Sequence, residues 1–146
     1  MGLFDYMNIS ATALTAEKTR MDIISENIAN SKTTRTAGGT PYRRKIPVFR
    51  EYKKSPFEHI LGEKLGKNDF KGVKVSRIKE DPSEFVSVYE PGHPDADKEG
   101  YVLMPNVSVV KEMVDMISAQ RAYDSNITAI STAKAMMTKA LEITGR

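Results

Sequence analysis

Residues 107–123 read VSVVKEMVDMISAQRAY, and the chain runs on from there to residue 142 without a Gly or Pro. Apolar side chains recur through this stretch in alternating steps of four and three residues, with Gln120 and Lys134 as polar members of the repeat. The apolar members are Val109, Met113, Met116, Tyr123, Ile127, Ile130, Met137 and Leu141. A narrow repeat of this kind is typical of a helix that packs along another helix. We therefore predict a long helix in a C-terminal assembly segment, residues 105–146.

The front of the chain carries a similar repeat. Residues 3–30 read LFDYMNISATALTAEKTRMDIISENIAN. Apolar side chains recur there at every seventh position, with one more beside them: Met7, Leu14, Met21 and Ile28, and then Ile24. We predict a second long helix in an N-terminal assembly segment, residues 1–30. Two such helices at opposite ends indicate a protein that assembles through its ends.

The middle of the chain has a different pattern. Gly38, Gly39 and Pro41 mark residues 31–41 as a turn-rich connector. A central segment, residues 42–104, then contains four short runs rich in Val, Ile and aromatic residues, which predict strands. These runs are Tyr42–Tyr52, Gly72–Ile78, Phe85–Glu90 and Tyr101–Met104. Residues 55–70 fit either a short helix or a loop.

These segments together predict the fold class. We expect an α+β protein in which long N- and C-terminal helices pair as a coiled-coil-like bundle, with a small central β-rich segment. Pro47 cannot donate a ladder hydrogen bond, so the first strand should lie at a sheet edge. The second helix should begin near Pro105, with Asn106 or Ser108 as its N-cap.

Composition excludes several classes of protein. The chain has no Cys, which removes disulfides, thiolate zinc sites and cysteine nucleophiles. No window of about 18 consecutive apolar residues is present, so we expect no direct membrane insertion. The first residues lack the basic and apolar regions of a cleaved secretory signal. The formal net charge of +3 is mild for a 146-residue chain.

One basic cluster supports an alternative function. Arg43, Arg44 and Lys45 could contact phosphates, and Tyr42 and Phe49 lie close enough in sequence to stack on bases. This is the pattern of a small basic nucleic-acid-binding module. That interpretation leaves both helical repeats without a role, so we expect no nucleic acid among the partners.

One acidic loop resembles a metal site. His93 is followed by Asp95, Asp97 and Glu99, a spacing that could ligate a divalent cation. The EF-hand pattern that these residues begin fails at loop position twelve, where Asn106 stands in place of the bidentate Glu. No nucleophile elbow, phosphate loop or dinucleotide fingerprint occurs in the sequence. We therefore predict no enzyme activity, no metal and no cofactor.

A second apolar column on the back helix favours contacts between molecules. Val107, Val110, Val114 and Ile117 make its first turns apolar on more than one side. One partner helix cannot cover so much of the circumference. The simpler alternative, a helical hairpin whose repeats pair within one molecule, remains open.

Three blocks of sequence resemble a known family. Residues 21–30 and 33–36 read MDIISENIAN and TTRT, a signature of rod and hook proteins. Residues 89–97 read YEPGHPDAD, and MPNV at 104–107 precedes MISAQRAY at 116–123. Together these blocks resemble the proximal-rod proteins of the bacterial flagellar basal body, of the FlgC type. Residues 50–70 match no pattern of that family.

The resemblance implies a structural subunit and no enzyme. It implies terminal helices that pack as an inner tube, and export of the subunit by the flagellar type III apparatus. The implied partners are copies of the chain itself, other rod proteins and the adapter at the rod base. The implied location is the rod of the basal body, in the periplasm.

We predict the subunit interface from both the repeats and the resemblance. Asn27, Asn30 and Thr34 could either tie neighbouring connectors together or cap the first helix. The full set of predicted interface residues is Met7, Leu14, Met21, Ile24, Ile28, Asn27, Asn30, Thr34, Val110, Met113, Met116, Ile117, Tyr123, Ile127, Ile130, Met137 and Leu141.

Overall fold

The computed structural model describes residues 3–52 and 71–144, and it begins and ends in long helices. Helix α1 covers Leu3–Ala29 and helix α2 covers Val109–Thr144. At 1.5 Å per residue, α2 is roughly 54 Å long. The stretch 55–70, predicted as a short helix or a loop, lies outside the described residues.

In the described part of the chain between the helices there are four strands. They are β1 (Lys45–Glu51), β2 (Val73–Glu80), β3 (Val86–Tyr89) and β4 (Tyr101–Met104). Two long terminal helices around a small β-rich segment confirm the predicted α+β class. Among residues 3–52 and 71–144, β1 pairs with β2 and β3 pairs with β4, each as a two-stranded sheet. Within the part of the chain that the structure describes, each of these four strands is therefore an edge strand, which is the position that Pro47 in β1 requires.

Both sheets are antiparallel ribbons. In the first, the Tyr52 amide donates to the Gly72 carbonyl (2.7 Å) and the Asp81 amide to the Arg44 carbonyl (2.8 Å), so opposite ends of β1 and β2 meet. In the second, Val86 pairs with Met104 and Tyr89 with Tyr101.

Of the two predicted N-cap residues of α2, Ser108 lies at the start of the helix. The Glu112 amide donates to the Ser108 carbonyl at 2.9 Å, which closes the first turn of α2. Asn106, the other predicted cap, accepts instead from the Arg44 amide (2.8 Å) and donates to the Asp81 and Ser83 carbonyls. Asn106 therefore connects three segments of the chain.

The chain divides into two compact units. The first takes the described residues among 1–19, 49–76 and 119–146, and the second takes 20–48 and 77–118. In the first unit, a Cβ built on Gly72 would meet Thr12 Oγ1 at 2.5 Å, so only glycine permits this close approach of the ribbon to α1. The Val73 amide also donates to Thr12 Oγ1 at 3.1 Å. The second unit is organised around buried polar side chains.

Candidate assembly interface

One face of α2 is turned toward the chain's own fold. Its members repeat in steps of four and three residues and are buried or half-buried: Glu112, Met116, Ala119, Tyr123, Asn126, Ile130, Ala133 and Met137. We call this face the inner seam. Glu112 and Ala119 are fully buried, at 0% exposure. The small alanine side chains allow other segments of the same chain to approach α2 closely, as small residues do where helices pack.

The sequence repeat on α2 coincides with the inner seam only in part. Met116, Tyr123, Ile130 and Met137 belong to both. The remaining apolar members of the repeat are exposed: Val109 at 40%, Met113 at 56%, Ile127 at 44% and Leu141 at 72%. We call Met113, Ile127 and Leu141 the outer column. Apolar spacing alone identified the shared column and could not indicate that Glu112, Ala119 and Ala133 lie beside it.

The first turns of α2 carry an exposed apolar stripe. Val110, Met113, Val114 and Ile117 follow the spacing of one helical face and are 53–73% exposed. Val107, which the sequence placed in the same column, is half-buried. Single exposed apolar residues are common on proteins, whereas a contiguous stripe of four is less usual and is a candidate contact surface.

The predicted interface residues of α1 are mostly half-buried. Met7, Leu14, Met21 and Ile28 all fall in this intermediate class. Ile24 is only 4% exposed and lies beside Ile23, which is also 4% exposed, in the core of the second unit. In this conformation Ile24 therefore contacts its own chain.

Asn27 is the centre of a buried polar cluster. Its Nδ2 donates to the Lys45 carbonyl (2.9 Å) and to Glu112 Oε2 (3.0 Å). Its Oδ1 accepts from the Tyr42 hydroxyl and from the Lys45 amide, both at 2.9 Å. All four hydrogen-bonding positions of this amide are therefore used within the molecule.

Arg44 neutralises the buried charge of Glu112. Its Nε donates to Glu112 Oε1 at 2.6 Å, and its terminal nitrogens lie 3.4 Å from Asp81 and 3.5 Å from Asp115. Arg20 of α1 also reaches Asp115 at 3.5 Å. A buried carboxylate is tolerated when it is paired and hydrogen-bonded in this way. We call Asn27, Tyr42, Arg44 and Glu112 the junction cluster.

The cluster shifts the titration of its neighbours. Burial, with the negative charges of Glu26 and Glu112, raises the pKa of Tyr42 to about 12. The backbone and side-chain hydrogen bonds from Ser83, with help from Arg44, lower the pKa of Asp81. The neutral form of the Tyr42 phenol and the charged form of the Asp81 carboxylate are thus both favoured in the folded chain.

Sequence reasoning missed most of this cluster. It placed Tyr42 and Arg44 with a basic surface and gave Glu112 no role. The sequence feature that could have indicated the cluster is a charged residue, Glu112, at a seam position of α2. Apolar spacing alone does not include such a residue.

Asn30 and Thr34 also bind within the chain: Asn30 Nδ2 donates to the Glu26 carbonyl (2.9 Å) and Thr34 Oγ1 to Asp95 (2.8 Å). Asn30 thus caps the end of α1.

The predicted basic patch is occupied by its own chain. Arg43 donates to the Asp81 and Ser83 carbonyls, both at 2.9 Å, and its guanidinium lies 4.3 Å from the Phe85 ring centre. Arg44 is held in the junction cluster, and Lys45 forms an ion pair with Glu26. All three cations are therefore held by groups of their own chain.

The acidic loop at 93–99 is used for its own turns. Asp97 Oδ1 accepts from the Glu99 and Tyr101 amides (both 2.9 Å), and His93 Nδ1 accepts from the Asp95 amide (3.1 Å). Among the described residues, no three His, Asp or Glu side chains are grouped to hold a metal ion.

Within 3–52 and 71–144, neither helix is long and apolar enough to cross a membrane.

Comparison with known protein families shows the general class of protein to which the chain belongs. Residues 7–35 match the family described as "Flagella basal body rod protein". Residues 98–143 match "Flagellar basal body rod FlgEFG protein C-terminal". The two matches include nearly all of α1 and of α2. The chain is therefore of the flagellar rod class, and both of its long helices carry the family pattern.

Full-length relatives narrow this class to one family. The chain is 48% identical to the flagellar basal-body rod protein FlgC of Bacillus subtilis, covering 98% of this chain and 99% of that one. It is 46% identical to FlgC of Borreliella burgdorferi and 40% identical to FlgC of Salmonella typhimurium, each over 98% of both chains. The chain belongs to the FlgC family of flagellar basal-body rod proteins.

Proposed function

We propose that this chain is a structural subunit of the flagellar basal-body rod and that it assembles through its two terminal helices. The observation that carries the proposal is the division of α2 into two apolar faces. The inner seam is satisfied within the molecule, and the outer column with the stripe Val110–Ile117 remains exposed. A helix with two such faces suits a bundle of more than two helices.

The spacing of the exposed apolar residues on α2 fits a helix of a neighbouring subunit. Met113, Ile127 and Leu141 recur at multiples of seven residues, which is the spacing that a second helix covers. Repetition of one contact from subunit to subunit extends an assembly without closing it, as a tube requires. We propose copies of this chain, other rod proteins and the rod-base adapter as neighbours, with the subunit in the proximal rod. The role is structural, without enzyme activity.

The predicted interface residues serve this proposal in two ways. Val110, Met113, Ile117 and Ile127 are exposed and available to a neighbour, and Leu141 is 72% exposed. The half-buried Met7, Leu14, Met21 and Ile28 offer part of their surface. Ile24 and Asn27 hold the chain's own fold in the geometry that presents those residues.

Substitution of one outer-column residue tests the proposal. We expect Ile127→Glu to fold as the parent does, because the side chain is 44% exposed, and to be absent from purified basal bodies, because a neighbour would have to bury its charge. Ser125→Glu, on an exposed position two residues away, should be incorporated. Leu14→Glu is a weaker test, since Leu14 is half-buried and its replacement also perturbs folding. Normal rods built from the Ile127→Glu chain would contradict the proposal.

We also propose that the flagellar type III apparatus exports the chain. The proposal is supported by membership of the rod family, since a rod subunit has to reach its place beyond the inner membrane. The test is cell fractionation: the chain should leave the cytoplasm in cells with a working export gate and accumulate inside cells without one. Equal export from both would exclude this route.

A further inference from the structure

We infer that Glu112 is a positioning residue that selects which of two overlapping faces of α2 turns inward. The two faces share Met116, Tyr123, Ile130 and Met137. On one side of that column lie Glu112, Ala119, Asn126 and Ala133, and on the other lie Met113, Gln120, Ile127, Lys134 and Leu141. In the structure Glu112, Ala119 and Ala133 are buried and Asn126 is half-buried.

The two arrangements differ by a small movement. At about 100° per residue, exchanging one flanking column for the other requires a rotation of roughly 50° about the axis of α2. The alternative would bury the large apolar side chains Met113, Ile127 and Leu141 in place of Ala119 and Ala133, and would also turn Gln120 and Lys134 inward in place of Glu112 and Asn126. By apolar burial alone, the alternative is therefore the more favourable of the two. Burial of Gln120 and Lys134 opposes it, although a long Lys side chain can keep its charge at the surface. A specific interaction of the observed face is needed to decide firmly against it.

The junction cluster supplies that interaction. Glu112 is at 0% exposure and is held by Arg44 Nε at 2.6 Å and by Asn27 Nδ2 at 3.0 Å. Rotation of α2 would carry the carboxylate away from both donors and leave Arg44 and Asn27 partly unsatisfied in the core. A single polar residue in a helical seam is known to fix register in this way, because the wrong arrangement leaves buried polar groups without partners.

The consequence for assembly follows from the same geometry and rests on the proposed function. By holding α2 in one rotation, Glu112 keeps the outer column exposed for a neighbouring subunit. Without this anchor, the more apolar column would turn inward and the contact surface would be lost. The rotation itself is a property of the single chain and can be measured without any assembly.

The absence of native Cys makes thiol labelling a direct measurement of the rotation. In separate full-length variants, Ile127→Cys and Ala133→Cys place one thiol on the outer column and one on the inner seam. At 44% against 8% exposure, we expect the first to react ~10-fold faster or more in the parental background. In the Glu112→Leu/Arg44→Leu background, which removes both charges together, the ratio of the two rates should fall to about one or invert.

A matched control and a milder variant make the result decisive. Lys111→Leu replaces an adjacent exposed charge and should leave the ratio of rates unchanged. If circular dichroism shows that the double replacement has lost its helices, Glu112→Gln decides, and we expect it to lower the ratio at least ~3-fold because one neutral amide replaces the charged anchor. An unchanged ratio in the folded variant would overturn the inference. That outcome would leave the rod proposal intact, because incorporation of Ile127→Glu tests it separately.

Discussion

At the scale of single residues, polar side chains at the centre of the second unit determine how its segments meet. The Asn27 amide joins α1 to β1 through Lys45 and to α2 through Glu112. Because each of its four hydrogen-bonding positions is filled by a different group, no other side chain of that size can replace it. The family signature at residues 21–30 contains Asn27, and the structure gives that amide a physical role.

We expect Asn27→Asp to destabilise the chain strongly. The carboxylate cannot donate to the Lys45 carbonyl or to Glu112, and it places a second negative charge beside that buried acid. The free energy of unfolding should fall by ~3 kcal/mol or more in urea denaturation. Asn126→Asp is the matched control, since it removes one bond, to the Ala122 carbonyl, and should cost ~1 kcal/mol. Similar losses in the two variants would contradict the central role of Asn27.

Tyr42 predicts a loss of stability in alkali. Its pKa is raised in the folded chain to about 12, above the ordinary value of 10.0. The folded state therefore holds this proton more tightly than the unfolded state. The resulting stability is complete below pH 10 and is lost as the pH rises to about 12, by up to ~2 kcal/mol.

Comparison of two Phe variants isolates this effect from other groups that titrate in alkali. Tyr42→Phe should cost ~1 kcal/mol at neutral pH through its lost hydrogen bond, and should show a shallower decline in unfolding free energy between pH 10 and 12. Tyr89→Phe, at a 62% exposed position, should keep the decline of the parent. Equal slopes for the parent and Tyr42→Phe would disprove the assignment.

At the scale of elements, apolar spacing predicted which segments form helices and strands but not which helix face is buried. The strand at Tyr101–Met104 was predicted with its observed bounds, because its run of large side chains ends at Pro105. On α2 the shared column, Met116 to Met137, was also found. The choice between its two flanks depends on Arg44 and Asn27, which are distant in sequence, and local periodicity contains no information about them.

The contact of the β1–β2 ribbon with α1 is set by two small residues. A Cβ at Gly72 would lie 2.5 Å from Thr12 Oγ1 and 3.0 Å from Thr12 Cγ2. We expect Gly72→Ala to lower the unfolding free energy by ~1–3 kcal/mol, since the ribbon or the helix has to move. Gly92→Ala, where no atom lies within 4 Å of the added group, should change it by less than ~0.5 kcal/mol.

A double-mutant cycle identifies Thr12 as the cause. Thr12→Ala removes both clashing atoms and also the acceptor of the Val73 amide, at ~1 kcal/mol. In that background Gly72→Ala should cost clearly less than it does alone, which gives a favourable coupling of ~1 kcal/mol. Strict additivity would show that the strain lies elsewhere.

At the scale of the whole molecule, the sequence was sufficient to assign the protein family but not to show which charged side chains pair within the fold. Three blocks of sequence and two helical repeats were enough to place the chain in the rod family, which 38–48% identity over nearly the full chain confirms. The local positive charge of Arg43–Lys45 suggested nucleic-acid binding. The groups that hold Arg43 and Arg44 in the structure, on Asp81, Ser83 and Glu112, are far away in sequence and could not be recognised as their partners. Local charge could not show that these cations are already paired.

The central claim is that the outer column of α2 is covered by neighbouring subunits in the rod. The direct measurement is thiol reactivity of Ile127→Cys, once in the purified chain and once in intact basal bodies isolated from cells that carry the variant. Ser125→Cys, exposed and outside the column, serves as the reference for general access. We expect Ile127→Cys to be reactive in the free chain and to be protected at least ~10-fold in basal bodies relative to Ser125→Cys. Equal reactivity of Ile127→Cys in the two samples would contradict it.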